Sequence, residues 1–110
     1  MTFSEYQERA LTTAIKNQDP TMDKTIWAMG VAGEAGEVVE KWKKIVAYKN
    51  GTISTQDLDE LRKELGDVVW YVAVLADSIG LALEDIMQLN LSKLADRKKR
   101  NVIKGAGDER

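Results

Sequence analysis

The sequence predicts an all-α fold of four helices in a bundle-like arrangement, in which a central antiparallel helix pair carries an acidic site. Apolar residues recur at helical spacing through most of the 110 residues. Turn signals divide the chain at residues 17–20, 49–52 and 80. The β-branched run at 68–74 lies inside a longer helical pattern, so no strand is predicted. We expect one domain over residues 1–110, with residues 100–110 as a basic, glycine-containing tail.

The first two helices are bounded by a capping motif and by the only proline. Ser4 opens a Ser-x-x-Gln capping box, which predicts a first helix from Ser4 to residue 15 or 16. Pro20 disfavours the α conformation at the residue before it, so the first helix is expected to end ahead of it. A second helix is predicted over about residues 23–48.

The third and fourth helices follow from capping signals and periodicity. The third is predicted from residue 54 or 55 to residue 79, where Gly80 closes it. Residues 68–76 are apolar nearly all round, which predicts that this helix is central, is buried on more than one side and makes a subunit contact. The fourth helix is predicted from residue 83 to residue 97 or slightly beyond.

Composition excludes several classes of function. A formal net charge of -2 and a pI near 5.2 argue against long nucleic acids as partners. The chain has no cysteine and no histidine, which excludes disulfides, thiolate or histidine metal ligands, and a Ser-His-Asp triad. No secretory signal is recognised, and the longest apolar run is about half a bilayer span. A cytoplasmic location without membrane contact is therefore expected.

Four carboxylates are spaced to converge on one site. Glu34 and Glu37 are three residues apart on the second helix, and Glu64 and Asp67 are three apart on the third, so each pair shares a helix face. If the two helices fold back about the turn at 49–52, residues whose numbers sum to about 101 lie level. Glu34 then faces Asp67, and Glu37 faces Glu64. Four carboxylates this close repel one another unless cations compensate.

The residues around these acids weigh against a solvated surface. A single Glu-x-x-Glu on a helix is usually solvated or paired with lysine, but here the flanking residues are apolar or small. Oxygen ligands without histidine or cysteine suit Mg²⁺ or Mn²⁺. Because Mg²⁺ commonly binds substrate phosphates as well, a phosphate ester or phosphoanhydride is the expected substrate. Glycines near the acids indicate either close helix packing or room for metal and substrate; they are Gly30, Gly33, Gly36 and Gly66.

Five further residues are candidates for substrate binding. Lys93 and Arg97 share a face of the fourth helix with Asn90, so the two cations are placed to meet phosphates and the amide to bind a hydroxyl. Trp27 and Tyr71 lie on the acid faces of their helices and are candidates for stacking on a base. The alternatives stay open at this stage. The cations are equally explained as a solvated helix end, and the aromatics more often belong to a core.

These motifs resemble the MazG-like nucleotide pyrophosphohydrolases of the all-α NTP pyrophosphatase superfamily. The likeness covers most of the chain and is carried by four segments: residues 33–38 (Gly-Glu-Ala-Gly-Glu-Val), 64–71 (Glu-Leu-Gly-Asp-Val-Val-Trp-Tyr), 90–94 (Asn-Leu-Ser-Lys-Leu) and the Gly-x-Gly-Asp-x-Arg ending at 105–110. Bare Glu-x-x-Glu and Glu-x-x-Asp pairs are weak patterns, but with these flanks the resemblance is specific.

The resemblance implies metal-dependent hydrolysis of a nucleoside triphosphate to the monophosphate and pyrophosphate. It implies that Mg²⁺, with Mn²⁺ as a substitute, is held by Glu34, Glu37, Glu64 and Asp67, and that the protein is a homodimer or homotetramer. Some relatives have a glutamate doublet whose first acid is proposed to activate water. Here Gly33 takes that place, and Glu34 or Glu37 is the candidate to relay the proton of the attacking water. The alternatives are a nucleoside diphosphate or nucleotide-sugar pyrophosphatase, and a noncatalytic nucleotide- or metal-binding module.

Overall fold

The computed structural model describes residues 1–17 and 19–110, and these form four helices: α1 (Phe3–Leu11), α2 (Pro20–Lys49), α3 (Thr55–Ser78) and α4 (Leu83–Lys99). The predicted all-α class is confirmed, and the described residues contain no strand. The central position of α3 is also confirmed, since it packs against each of the other helices. Within the described part of the chain no single helix is long and apolar enough to cross a membrane; α3 and α4 pass that test only as a pair bent by 106°.

The predicted bounds of α1 are wrong at both ends. Thr2, rather than Ser4, is the N-cap, because its hydroxyl accepts a hydrogen bond from the amide of Glu5. The Ser4 hydroxyl instead donates to Glu84. The helix ends at Leu11, several residues before position 15, where the side chains of two threonines, Thr12 and Thr13, bond back to carbonyls of the last turn.

The predicted start of α2 is wrong by three residues. Asp19 caps the helix by accepting from the amides of Thr21 and Met22, and Pro20 occupies the first helical position. A proline is well suited there, because its missing N–H would have no partner inside the helix and its φ is already helical. Pro20 therefore begins α2 as well as separating α2 from α1. Gln18, in the predicted break, lies outside the described residues.

The turn between α2 and α3 is built as the sequence predicts. Asn50 and Gly51 both have positive φ, of 51° and 79°, which ends α2 in the left-handed region. Ser54 and Asp57 then form a reciprocal capping box at the start of α3. Asp57 also accepts from the Lys49 ammonium at 2.8 Å, and these bonds to Lys49 and Ser54 hold the pKa of the buried Asp57 carboxyl well below its ordinary range.

Two contacts set the register of the α2–α3 pair. Lys41 and Glu60 form an ion pair, and Gly30 lies against the ring of Tyr71. Both pairs lie level in the way the sequence predicts for an antiparallel hairpin about the Asn-Gly turn. The acids of α2 are therefore brought opposite the acids of α3.

The core lies where α1 and α4 close over the C-terminal half of α3. Its buried members are Ala10, Trp27, Ala73, Val74 and Leu83. Gln7 ties the three helices together, because its amide donates to the carbonyls of Ala73 and Leu81 and accepts from the amide of Leu83. All of these polar groups are thereby satisfied inside an apolar region, where an unpaired one would be costly.

The four glycines near the acids have different roles. A methyl group at Gly30 would overlap the Tyr71 ring, so close packing explains this residue. A methyl group at Gly33, Gly36 or Gly66 would meet nothing within 4 Å, so packing inside this chain explains none of them.

Gly30→Ala is expected to lower the free energy of unfolding by about 1–2 kcal/mol, because an overpacking cost of about 1–3 kcal/mol outweighs a gain in helix propensity of up to about 1 kcal/mol. Urea unfolding of each variant measures it. Gly33→Ala, three residues along the same helix, is the matched control and should be neutral or stabilising. Equal stability of the two variants would contradict the close contact with Tyr71.

Candidate metal centre

Three carboxylates from α2 and α3 come together at the middle of the hairpin. One oxygen each from Glu34, Glu64 and Asp67 lies within 4.8 Å of the others. Glu34 and Glu64 are half-buried between the helices, and Asp67 is exposed at the edge. We call these three residues the acidic cluster. Glu64 and Asp67 are three residues apart on α3, whereas Glu34 is distant in sequence and the α2–α3 register brings it to them.

Among the described residues, no lysine or arginine forms an ion pair with a member of the acidic cluster. Partial burial raises the pKa of the Glu34 carboxyl, and the negative charges of Asp67, Glu64 and Glu37 raise it further. Arg62, two residues before Glu64, pairs with Asp59 and not with the cluster. Lys41 pairs with Glu60, about two turns from Glu34. A proton or a cation is therefore needed to offset the repulsion at this site.

Glu37, the fourth predicted ligand, is exposed on α2 and is not one of the three residues that converge. It lies one turn after Glu34, and its charge still contributes to the raised Glu34 pKa. Its assignment as a metal ligand therefore remains a prediction.

The donor set fits a hard divalent cation. The cluster offers carboxylate oxygens only, and such oxygens are the ligands of Mg²⁺ and Mn²⁺. Glu34, Glu64 and Asp67 would hold the ion. Because Asp67 is exposed, the ion would keep an open side for water and for substrate phosphates.

Tyr6 is a neighbour of the site that sequence reasoning missed. Partial burial raises the pKa of its phenol, and the charge of Asp67 adds to the increase. Tyr6 belongs to α1, which packs on α3, so only the tertiary structure brings it near the acids. No local motif around Tyr6 signals this position.

The two predicted base-stacking residues belong to the core and also line a cavity. Trp27 is only 6% exposed, and Tyr71 is half-buried with its ring edge-on to Trp70 at 4.9 Å between centroids. The cavity has a volume of about 210 Å³. Its lining residues are Thr13, Ile15, Ile26, Trp27, Trp70 and Tyr71. The cavity opens one helical turn from Asp67, so contact with a base remains a prediction for both residues.

The three predicted polar binding residues of α4 differ in accessibility. Asn90 is exposed, whereas Arg97 is 4% exposed and donates to the carbonyl and the carboxylate of Asp108 at 2.7 and 3.0 Å. Lys93 also pairs with the Asp108 carboxylate, at 3.0 Å. Both cations hold the pKa of Asp108 below its ordinary range, Lys93 making the larger contribution. Sequence reasoning missed this pairing, because Asp108 follows a segment without periodicity.

Glu34→Gln is expected to raise the free energy of unfolding at pH 7 without divalent ions, because folding places the charged Glu34 in an unfavourable field. A raised carboxyl pKa means that the folded state binds the proton more tightly than the unfolded chain does, so the penalty is present above the folded-state pKa. The advantage of the variant should therefore shrink as the pH falls through that raised value. Chemical unfolding at several pH values measures it.

Glu8→Gln on the exposed face of α1 is the control for a change of charge away from the site. Added Mg²⁺ should stabilise the wild type more than Glu34→Gln, because an ion that binds only the folded state stabilises it by mass action. An equal Mg²⁺ response in both proteins would contradict Glu34 as a ligand.

Comparison with known proteins identifies the family. The MazG nucleotide pyrophosphohydrolase domain matches residues 23–102, which include the acidic cluster and all of α4. The chain is 51% identical over 82 residues to the Gene 37 protein of Mycobacterium phage L5, covering 74% of this chain and 72% of that protein. It is 35% identical over 72 residues to the uncharacterized protein YvdC of Bacillus subtilis (strain 168), covering 58% of this chain and 65% of that protein. No solved structure matches the chain. The chain belongs to the MazG nucleotide pyrophosphohydrolase domain family.

Proposed function

We propose that the protein hydrolyses a nucleoside triphosphate to the monophosphate and pyrophosphate, with Mg²⁺ as cofactor and Mn²⁺ as a substitute. The substrate class includes ribonucleotides and deoxyribonucleotides, and nucleotides with noncanonical bases. The observation that carries the proposal is the convergence of Glu34, Glu64 and Asp67, without a protein cation among them, in a chain of the MazG family. An uncompensated carboxylate cluster suits a divalent ion that also binds a polyphosphate.

The acidic residues have two roles in this proposal, which are to bind the ion and to accept a proton. Glu34, Glu64 and Asp67, with Glu37 as the fourth ligand, would hold a divalent ion, which would supply charge neutralisation for the polyphosphate and lower the pKa of water. Water attacks the α-phosphorus, and the bond from that phosphorus to the oxygen bridging to the β-phosphate breaks. Glu34 or Glu37 takes the proton from the water.

In this proposal the residues of α4 bind the phosphates and a hydroxyl of the substrate, and the cavity lined by Trp27 and Tyr71 binds the base. Lys93, whose side chain is 35% exposed, offers its ammonium to the phosphates, and Asn90 offers an amide to a hydroxyl. Arg97 reaches a phosphate only after its hydrogen bonds to Asp108 break, so it acts as the second cation once the C-terminal tail has moved away. Trp27 and Tyr71 form the wall for the base.

The cellular setting belongs to the same proposal. The protein acts on surplus or noncanonical nucleotides in the cytoplasm, as a homodimer or homotetramer, without long nucleic acids or membranes as partners. Its charge of -2 supports the absence of polyanionic partners.

Pyrophosphate release from a panel of NTPs and dNTPs, with Mg²⁺, with Mn²⁺ and with EDTA, tests the proposal. Metal-dependent release of pyrophosphate together with monophosphate is expected. If triphosphates are not hydrolysed but nucleoside diphosphates or nucleotide sugars are, those compounds would replace triphosphates as the proposed substrate class. Silence toward every substrate in folded protein that still binds Mg²⁺ would indicate a noncatalytic binding module.

Asp67→Asn and Glu37→Gln are each expected to lower kcat by about a hundredfold or more, the scale seen when one group that stabilises a transition state is removed. Helical content should be unchanged, since both side chains are exposed. Asp77→Asn, an exposed acid on the same helix as Asp67, is the control and should keep full activity. Wild-type turnover in Asp67→Asn or in Glu37→Gln would remove that residue from the site.

Lys93→Ala is expected to raise KM about tenfold with a smaller change in kcat, because a charge-assisted bond to a phosphate is worth about 1.5–3 kcal/mol. Steady-state kinetics on the best triphosphate measures it. Lys99→Ala removes the same charge two turns further along α4, where no ion pair is made within the described residues. An unchanged KM in Lys93→Ala, or an equal rise in Lys99→Ala, would contradict the phosphate role.

A further inference from the structure

A second cavity, of about 270 Å³, lies where the first turns of α2 meet the end of α3 and the connection from α1. Its polar and aromatic walls include Lys16, Asn17, Asp23, Lys24 and Trp27. We call it the Asp23 cavity. Trp27 also lines the cavity beside Tyr71, so the two cavities adjoin. Small-molecule sites usually have about 300–1,000 Å³, so the Asp23 cavity suits one part of a larger ligand.

The Asp23 carboxylate lines this cavity with only one of its oxygens hydrogen-bonded. Asp23 is 6% exposed, and its Oδ1 atom accepts from the backbone amide and the side-chain amide of Asn17, at 2.9 and 3.0 Å. Within residues 1–17 and 19–110, its Oδ2 atom accepts no hydrogen bond and is not sealed from solvent. An unpaired carboxylate oxygen in a nearly buried residue is costly. Water or a ligand must therefore supply a donor there.

Asp23 lies on the same face of α2 as the acidic cluster. Positions 23, 27, 30 and 34 follow one another in steps of four, three and four residues, which places them on one face. At 1.5 Å per residue, Trp27 lies about 10 Å from Glu34 along the helix axis, and Asp23 lies about 16 Å from it. A nucleotide with a phosphate at the acidic cluster and its base pointing toward Trp27 would therefore direct the outer edge of the base to Asp23.

Both cavities lie on the side of the hairpin that carries α1 and its connection to α2. Four of the residues 13–17 in this connection supply walls to the two cavities. Tyr6 of α1 marks the same side of the acidic cluster, since partial burial and the charge of Asp67 both raise the pKa of its phenol. The acidic cluster and the two cavities therefore follow one another along one side of the molecule.

An unpaired carboxylate oxygen selects a base that presents an amino group. Cytosine, adenine and guanine carry an exocyclic amino group that donates to such an oxygen, as the amino group of cytosine does to aspartate in nucleic-acid recognition. In uracil and thymine the ring N–H lies between two carbonyl oxygens, whose lone pairs would face the carboxylate. The half-buried Lys24 lines the same cavity and offers a donor to the ring nitrogen or carbonyl beside the amino group.

We propose that the Asp23 cavity binds the hydrogen-bonding edge of the base, with Asp23 Oδ2 accepting from its amino group, so that the protein prefers amino-bearing nucleotides to their oxo counterparts. This inference rests on the proposed function, because it takes the ligand to be a nucleotide whose phosphates lie at the acidic cluster. The bonds from Asn17 to Oδ1 fix the direction of the carboxylate. Asp23 is thereby a specificity-determining residue that contacts the base and leaves the chemistry at phosphorus unchanged.

Matched triphosphates test the preference in the wild type: dCTP against dUTP, dATP against dITP, and dGTP against dITP. The members of each pair differ in one amino group. The best substrate is expected to be an amino member with a kcat/KM at least about tenfold above its counterpart, since a hydrogen bond to a charged group is worth about 1.5–3 kcal/mol. Equal rates within the pairs, or faster turnover of the oxo member, would overturn the proposal.

Asp23→Asn tests the residue. It keeps an acceptor for Asn17 and turns an amide donor toward the cavity, so the amino-to-oxo ratio of kcat/KM should fall about tenfold or more. Asp77→Asn removes the same charge from an exposed residue of the same cavity and should leave that ratio unchanged. An unchanged ratio in Asp23→Asn, or an equal fall in Asp77→Asn, would leave Asp23 as an anchor for Asn17 only. If Asp23→Asn does not fold, the dimethylamino analogue of the best substrate, which has no N–H, should lose the same factor in the wild type, and its full turnover would overturn the proposal.

Failure of this inference is separable from failure of the proposed function. Hydrolysis that does not discriminate within the pairs would keep the function and overturn the inference. If no triphosphate is hydrolysed, calorimetric titration of the same compounds with Mg²⁺ measures the ratio as dissociation constants. An amino preference that Asp23→Asn abolishes would then keep the inference without the hydrolysis, whereas binding without preference, or no binding, would overturn both.

Discussion

The antiparallel register of α2 and α3 is the constraint on which the rest of the structure depends. It is fixed by the Lys41–Glu60 ion pair, by the capped Asn50–Gly51 turn and by the contact of Gly30 with Tyr71. A shift of one residue would turn Glu34 about 100° away from Glu64. The acidic cluster therefore follows from this one alignment.

The interaction energies along the hairpin are unequal. Exposed ion pairs such as Lys43 with Glu40 contribute little, about 0–1 kcal/mol each. The buried Asp57 carboxylate accepts bonds from Lys49 and from the Ser54 amide, which makes it the stronger anchor at the turn. The repulsion within the acidic cluster opposes this stabilisation, and a bound cation would relieve it. A metal ion bound there would therefore stabilise the hairpin.

The C-terminal tail pairs with the two cations that the proposed function assigns to the substrate phosphates. The Asp108 carboxylate accepts hydrogen bonds from Lys93 and from the buried Arg97, as a phosphate group would. The Arg97 Nε atom has no hydrogen-bond partner within the described residues. The tail is thus bound by charge-assisted hydrogen bonds to both cations of α4.

The sequence alone predicted the elements that depend on local chemistry. The Asn-Gly turn, the start of α3 at residue 54 or 55 and the length of α3 follow from residue type and helical spacing. Local reasoning failed where two local signals competed, as at Thr2 and Ser4 in α1. It also failed at Pro20, where a residue that ends one helix begins the next.

Only the tertiary structure decided which residues share an environment. Trp27 is buried, Tyr6 lies near Asp67, and Asp108 neutralises Lys93 and Arg97, because these contacts join segments distant in sequence. Helical periodicity gives the face on which a side chain lies. What covers that face depends on the packing of other helices, and the convergence of Glu34, Glu64 and Asp67, with Glu37 left outside, depends on packing in the same way.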